Sequence, residues 1–527
     1  MKKSQIFNQV PVSKPKRNFF DLSHEVKLSG KIGKLIPILT LDAVPGDSFS
    51  NTSEVMLRFM SMPAAVMHRF DVTTHTFAIP YRLLMVQEEW ENFITGGPEG
   101  TSEPVLPYLT AEQVGNEGYQ AQMTNSSLWD YLGLPTLTDG PGYPDNHISS
   151  LFFRAYQLIF NEYYRDQNLQ SAVDIPQAMG LEALDTLGDL LVLRNRCWEK
   201  DYFTSALPWT QRGAEVLMPI EGTGAVTYQP ISDVFLSGGG VPAPGNLTAA
   251  AVDGRLQTPG GLYSRIENID EVTFSGASTT INDLRRSIRL QEWLEANARG
   301  GARYTEQIYV HFGVRVPDYR LQRPEYIGGG KQPVVISEVL STASTEDNFI
   351  GDMAGHGLSV GRSNKWNYFC QEHMVIMTIL SVMPRSGYQQ GVPKKFLRRN
   401  KFDFFYKEFA NIGEQAIMNM ELYLRNGTED PEENETTFGY TPRYAEYKFE
   451  NDRVHGEFRS TLDYWHDSRI FTTPPTLSAA FVELDVEGQG LNRIFNVTTA
   501  GNDHLLVQIF HHVKAKRPMP YFGVPSI

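Results

Sequence analysis

The sequence predicts a mainly β fold, a sandwich or barrel whose loops have been expanded to hold short helices, and three observations carry that expectation. Strand-like stretches lie far apart. Residues 70–79 are rich in β-branched and aromatic side chains, and Leu505, Val507, Ile509, Val513 and Ala515 put one apolar face on a late strand. The intervening segments are broken by 31 Pro and 44 Gly in 527 residues, without the regular strand–helix alternation of a βαβ protein. Helical periodicity is confined to a few short stretches. A chain of this length buries a large core, either as one all-β domain or as several smaller units.

Residues 1–34 read as a basic arm. Eight bases (Lys2, Lys3, Lys14, Lys16, Arg17, Lys27, Lys31, Lys34) stand against Asp21 and Glu25, while the whole chain has 47 Lys plus Arg against 61 Asp plus Glu, a net charge of −14. The rest of the chain therefore carries a net negative charge. The first twenty residues hold no apolar run of about 7 to 15 residues, so an ordinary signal peptide is not expected. After the strand at 70–79, Leu83, Val86, Trp90 and Phe93 recur at helical steps until Gly96, Gly97 and Pro98 stop them. A second helix is expected over 149–169, with Phe152, Tyr156, Ile159 and Tyr163 on one stripe. Residues 214–279 differ in kind, with ten Gly, no Lys, seven acids and only Arg255 and Arg265 as bases, the composition of an exposed insertion. A third helix opens at Thr280 with Asp283 as an approximate capping box, should carry Ile281, Leu284 and Ile288 inward, and ends at Gly300 and Gly301. Residues 304–312 alternate and read as a strand. The longest apolar run, 374–383, contains Thr378 and Ser381 and is far shorter than the roughly 20 residues a membrane helix needs.

Charge then concentrates again. Lys394, Lys395, Arg398, Arg399 and Lys401 fall together with no acid among them, and Lys514, Lys516 and Arg517 sit near the end of the chain. Such clusters are the footprint that phosphate binding leaves in a sequence, although charge runs also simply solvate a surface. An acidic loop at 429–435 belongs in solvent.

Candidate catalytic patterns fail on context. Gly357, Ser359 and Gly361 match GxSxG, but the strand before and the helix after that expose a nucleophilic serine are missing from the surrounding sequence. Gly328, Gly329, Gly330 and Lys331 lack both the upstream glycine and the Ser or Thr after lysine that a P-loop needs. Glu372 and His373 fall in an expected strand, where adjacent side chains point to opposite faces, and His504, His511 and His512 have no acidic ligand set beside them. Cys197 and Cys370 form no CxxC and read as two buried thiols. No enzyme, metal or cofactor signature emerges.

Five stretches carry a family resemblance: FRAYQLIFNEYYRDQNL at 153–169, DYFTSALPW at 201–209, the helix from Thr280 into ARGGARY at 298–304, RLQRPEYIGGG at 320–330 and RPMPYFGVP at 517–525. LWDYLGLP at 128–135, YQQG at 388–391 and FGYTPRYAEY at 438–447 support them. In this order they resemble the major capsid proteins of the Microviridae, small icosahedral single-stranded DNA phages, in their gokushovirus-like branch. Phe160 and Ser526 stand where the family usually has Trp and Gly. The resemblance implies an eight-stranded antiparallel jelly roll with long insertions, here one domain over 35–527. It implies a shell of triangulation number one around a circular single-stranded DNA genome, built in the bacterial host cytoplasm. It also implies no catalytic role and no cofactor. Family partners would be further copies of the chain, a small basic DNA-packaging protein, an internal scaffolding protein and a DNA pilot protein. The insertion at 214–279 occupies the interval that builds a threefold protrusion, where a host surface receptor would be met. Lys14, Lys16 and Arg17 of the arm, with Lys394, Lys395, Arg398, Arg399 and Lys401, are the expected DNA contacts, with Phe396 and Phe402 beside them able to stack on bases. A cytosolic β-sandwich that binds or hydrolyses carbohydrate is the competing expectation.

Overall fold

The computed structural model describes residues 16–116, 118–136, 145–214, 216, 248–249, 256–257, 263–264, 281–342, 351–425, 431–499 and 501–522. Along them run strands β1 (Asn18–Asp21), β2 (His24–Gly30), β3 (Ile36–Ala43), β4 (Ser48–Asn51), β5 (Ser53–Phe59) and β6 (Phe70–Pro80). The longer helices that follow are α1 (Gln87–Thr95), α2 (Leu151–Ile159), α3 (Ile281–Gly300) and α4 (Tyr304–Phe312). Then come β7 (Glu325–Pro333), β8 (Val335–Leu340), β9 (Met353–Arg362), β10 (Trp366–Phe369), β11 (Met374–Pro384), the hairpin β12 (Glu414–Met418) and β13 (Thr437–Pro442), and finally β14 (Leu505–His511) and β15 (Lys514–Arg517).

The sheets have the antiparallel sandwich form of a jelly roll. One sheet has the order β7-β6-β11-β3. Facing it are two sheets, β8-β9-β5-β14-β2 and β10-β4-β15-β1, whose orders match strand for strand from β9 onward, with β8 as an added edge. The match arises because each chain segment passes from one into the other: β1 leads into β2, β4 into β5, β9 into β10 and β14 into β15. At the bends the backbone ladder continues, with Leu22 N–H donating to Val513 O (2.9 Å), His512 N–H to Thr52 O (2.9 Å) and Ser363 N–H to Ser53 O (2.8 Å). The facing wall is thus four bent ribbons.

Burial explains why β11 is so apolar. Every residue of the strand is buried, because both of its faces are covered. Leu380 and Val382 meet Ile36, Leu57 and Ile509 inside the sandwich. Met374 and Ile376 close its other end against Phe49, Trp366 and Ala515. Val375, Met377 and Ile379 point the opposite way, onto Phe77, Tyr156 and Ile159 beneath the expanded loops. Each large side chain removed from water in this way contributes roughly 1.5–3 kcal/mol. A strand buried on both sides has no alternation to display.

The loop layer is pinned by one buried ion pair. Arg154 of α2 donates from Nε to Glu182 (2.7 Å), and its other nitrogens reach Leu84 O and Ala178 O (2.8 Å each). Every hydrogen-bonding nitrogen of the guanidinium is used, which is the condition for burying a charge.

Several expectations need correction. Residues 304–312 form helix α4, not a strand. The Glu306 carboxylate accepts the Arg303 N–H (3.2 Å), and Gly313 ends the helix at φ 67°. Tyr304 and Phe312 are exposed, so the alternation there serves no sheet. Helix α2 stops at Ile159 and continues as a single π turn over Phe160–Tyr164, well short of residue 169. In α3 the stripe does not turn inward: Ile281 and Ile288 are exposed. Glu372 and His373 lie in a bend before β11, where Glu372 pairs with Arg82 (2.7 Å).

Residues 18–30 of the basic arm are built into the ribbons as β1 and β2. Contacts divide the chain into a unit of 1–210 with 300–527 and a second unit of 211–299. Within the second, the described residues include α3 and a small antiparallel sheet of the pairs 248–249, 256–257 and 263–264. Most of the predicted insertion at 214–279 lies outside the described residues.

Candidate nucleic-acid interface

The basic run after β11 cannot enter a sheet. Pro393 starts it, and short 3-10 turns at Lys394–Phe396, Lys401–Asp403 and Lys407–Phe409 fold it back on itself. Asn400 Oδ1 accepts the Phe402 N–H (2.9 Å), and the Asp403 carboxylate accepts those of Arg399 (2.7 Å) and Asn400 (2.8 Å). Burial acts to raise the Asp403 pKa, but these backbone donors hold it below the usual carboxylate range.

Acids from distant segments meet most of these bases. Lys394 is largely shielded and donates to Glu421 (2.9 Å) and Ala416 O (3.1 Å). Arg398, equally shielded, faces Glu446 at 3.9 Å and stacks over the Tyr447 ring at 4.2 Å. Lys395 lies 3.5 Å from Glu450, and Arg399, well exposed, 2.8 Å from Glu435. Lys401 meets no carboxylate among the described residues and sits 5.4 Å from the Phe402 ring. Phe396 is 71% exposed, and Phe402 is also open to solvent.

Glu421 is the hub under this run. Besides Lys394 it accepts the Tyr202 hydroxyl (3.0 Å) and the Met418 N–H (2.9 Å). Burial pushes its carboxyl upward against the pull of Lys394. Tyr202 opens the turn of DYFTSALPW, whose Asp201 accepts the backbone N–H groups of Phe203 (2.9 Å) and Thr204 (2.8 Å) and the Tyr388 hydroxyl (2.7 Å). A cavity of about 310 Å³ opens here, lined by Tyr202, Tyr388, Lys394, Glu421, Glu450 and His455 among others.

The arm candidates lie elsewhere. Lys14 falls outside the described residues; Lys16 and Arg17 are exposed where the chain enters β1, with Arg17 held 5.1 Å from the Phe369 ring of β10. Lys514 and Lys516 of β15 are exposed on the same sheet, whereas Arg517 pairs with buried Asp47 at 2.9 Å. The structure therefore gathers the arm and the C-terminal bases and leaves the run at 394–401 as a separate group. The cross-strand neighbours of Lys516, unmarked in the sequence, follow from strand register alone.

The discounted motifs have structural duties. Ser359 is buried within β9 and donates to Pro333 O (2.9 Å). Lys331 joins Asp71 (2.9 Å) and Glu199 (3.2 Å). His511 takes the Ser53 hydroxyl on Nδ1 (2.8 Å) and donates from Nε2 to Ile38 O (3.0 Å), tying a ribbon bend to β3. Burial pushes the Cys197 and Cys370 thiols up to about 11 and about 12. Among the described residues no group of three or more His, Cys, Asp or Glu is placed to hold a metal ion, and no helix is long and apolar enough to cross a membrane.

Comparison with known proteins places this arrangement in context. The family described as capsid protein (F protein) matches residues 8–527. The capsid protein VP1 of Bdellovibrio phage phiMH2K is 32% identical, with 99% of this chain and 97% of the relative aligned. VP1 of Chlamydia phage 1 is 31% identical over the same shares, and VP1 of Spiroplasma virus 4 is 28% identical over 99% and 96%.

Proposed function

The chain belongs to the capsid protein (F protein) family, and from that premise we propose that its copies close an icosahedral shell of triangulation number one around a circular single-stranded DNA genome. The carrying observation is the collinear match across residues 8–527 to structural proteins of phage particles. A closed shell needs each copy to repeat the same head-to-tail contacts until rings close, and needs no reacting group. A sandwich with long loops suits this work, since its sheets satisfy each other and its loops remain free to reach neighbours.

The basic residues face inward in this reading and neutralise phosphates without reading sequence. Lys14, Lys16 and Arg17 act from the arm. Lys395, Arg399 and Lys401 act from the second cluster, where Lys394 and Arg398 also hold the segment to Glu421 and Glu446. A net charge of −14 is too acidic for the chain to condense a genome alone, which leaves room for a small basic packaging protein, an internal scaffold and a pilot protein. The insertion at 214–279 faces the host as a threefold protrusion.

The test is co-expression of the chain with the other phage proteins, followed by sedimentation and imaging. Uniform round shells with nuclease-protected single-stranded DNA are expected. A chain that stays monomeric or trimeric under those conditions refutes the reading.

A further inference from the structure

We propose that the outer face of the sheet β10-β4-β15-β1 is a stacking platform for single-stranded nucleic acid, with bases against Phe19 and Phe369 and phosphates against Lys514, Lys516 and Arg17. The inference rests on the shell enclosing single-stranded DNA and assigns where a strand lies.

Strand register builds the platform. Phe19 stands opposite Lys516, Lys516 opposite Ser48 and Ser48 opposite Phe369, so one row across the sheet reads ring, cation, hydroxyl, ring. Three strand spacings set its outer members roughly 14 Å apart, too far to touch each other and far enough to take separate bases. The next row brings Lys514 beside Asp21 and Ser50. Val513 and Ala515 fill the core, and the period of two then sends Lys514 and Lys516 outward.

The rings are only half covered by the fold, Phe369 with Arg17 over it. Phe49 already fills the interior on β4, while Phe19 is 55% and Phe369 46% exposed. Flat rings interleaved with cations are what an unpaired strand uses, because every base has a face to stack and every nucleotide a phosphate. Charge separates this face from the run at 394–401. There, Glu421, Glu435, Glu446 and Glu450 answer four of the bases. Here the two rows hold a single carboxylate, Asp21, whose acceptor Oδ1 is occupied by the Ser23 N–H (3.0 Å) and hydroxyl (2.5 Å). Those Ser23 donors first, and then Lys514 across from Asp21, hold its carboxyl below the usual range, whereas Lys516 makes no ion pair with a carboxylate among the described residues and is left to counter-ions that phosphate binding releases.

The experiment uses the full-length chain with two fluorescent probes, a thymidine 20-mer and an abasic 20-mer of equal phosphate count. F19L/F369L is expected to weaken thymidine binding about tenfold or more and leave abasic binding unchanged. K514Q/K516Q is expected to weaken both probes alike and to flatten the log K against log salt slope by about 1.4. All four positions are solvent-facing, and thermal melts of the variants check that the sandwich stands. Unchanged thymidine affinity in F19L/F369L overturns the platform. So do K514Q/K516Q particles that assemble with normal protected DNA, a result that leaves the shell function intact. Variants that bind both probes normally yet fail to assemble assign the face to a copy-to-copy contact and also overturn it. Absence of shells from the wild-type chain refutes the underlying function instead.

Discussion

Asp467 is fully buried, and neither carboxylate oxygen has a hydrogen-bond partner among the described residues; Arg493 stands 3.9 Å away. Burial pushes its pKa up to about 7 against the opposing pull of Arg493. Because the folded pKa lies above the unfolded one, the stability this group confers is complete below about pH 4 and is lost as pH rises through 7. The difference approaches 4 kcal/mol at most. D467N should therefore melt close to wild type at pH 4 and above it at pH 8, measured as Tm against pH. His511 works in the other direction. Burial first, then the neighbouring His24, pulls its pKa down to about 4, so its contribution is present above about 6.5 and fades as pH falls through 4. Histidine NMR should show His511 remaining neutral at pH 5.5, and a titration near 6.5 would refute the bend geometry. Gly391 tests the hub: a Cβ there would stand 1.9 Å from the Glu421 carbonyl oxygen, so G391A should cost about 1–3 kcal/mol in urea unfolding.

Among the elements, α2 is held by the Arg154–Glu182 pair. R154M leaves a buried carboxylate unpaired and should cost about 3–5 kcal/mol, whereas R154M/E182M should recover much of that loss. Legibility in the sequence followed periodicity. The late strand β14 declares itself because its residues alternate between core and solvent, whereas α2 is buried nearly all round and shows only as an apolar stretch at helical spacing. β6 and β11 were readable as apolar or β-rich, yet their pairing was not, since both faces are buried. Residues 304–312 misled because alternation in an exposed segment reports no burial, while the deciding signals were Glu306 and Gly313 at its ends. The candidate interface was legible only as charge. The acids that answer Lys394, Lys395, Arg398 and Arg399 come from positions 421 to 450, a pairing made by tertiary folding. The rings in the row of Lys516 come from β1 and β10, segments far apart in the sequence.

For the whole molecule, residues 211–299 cluster as a unit of their own, so the insertion should be exchangeable. Replacing 214–279 with the equivalent segment of a relative should leave shell yield unchanged while altering adsorption to host cells; a collapse in shell yield would assign the segment to assembly. The family words, collinear from 128 to 525, include hubs such as Asp166 and Asp201, where several backbone groups depend on one side chain.

The bent ribbons have a mechanical consequence. Since β1 leads into β2, β4 into β5, β9 into β10 and β14 into β15, a pull on the basic end of the wall is transmitted along covalent strands into the main core. The cross-strand bonds lie perpendicular to that pull, so they are loaded together in shear and do not open one at a time like a zipper. Such a wall yields abruptly at high force, and its weak direction is across the ribbons, where β8 and β2 form the outer edges.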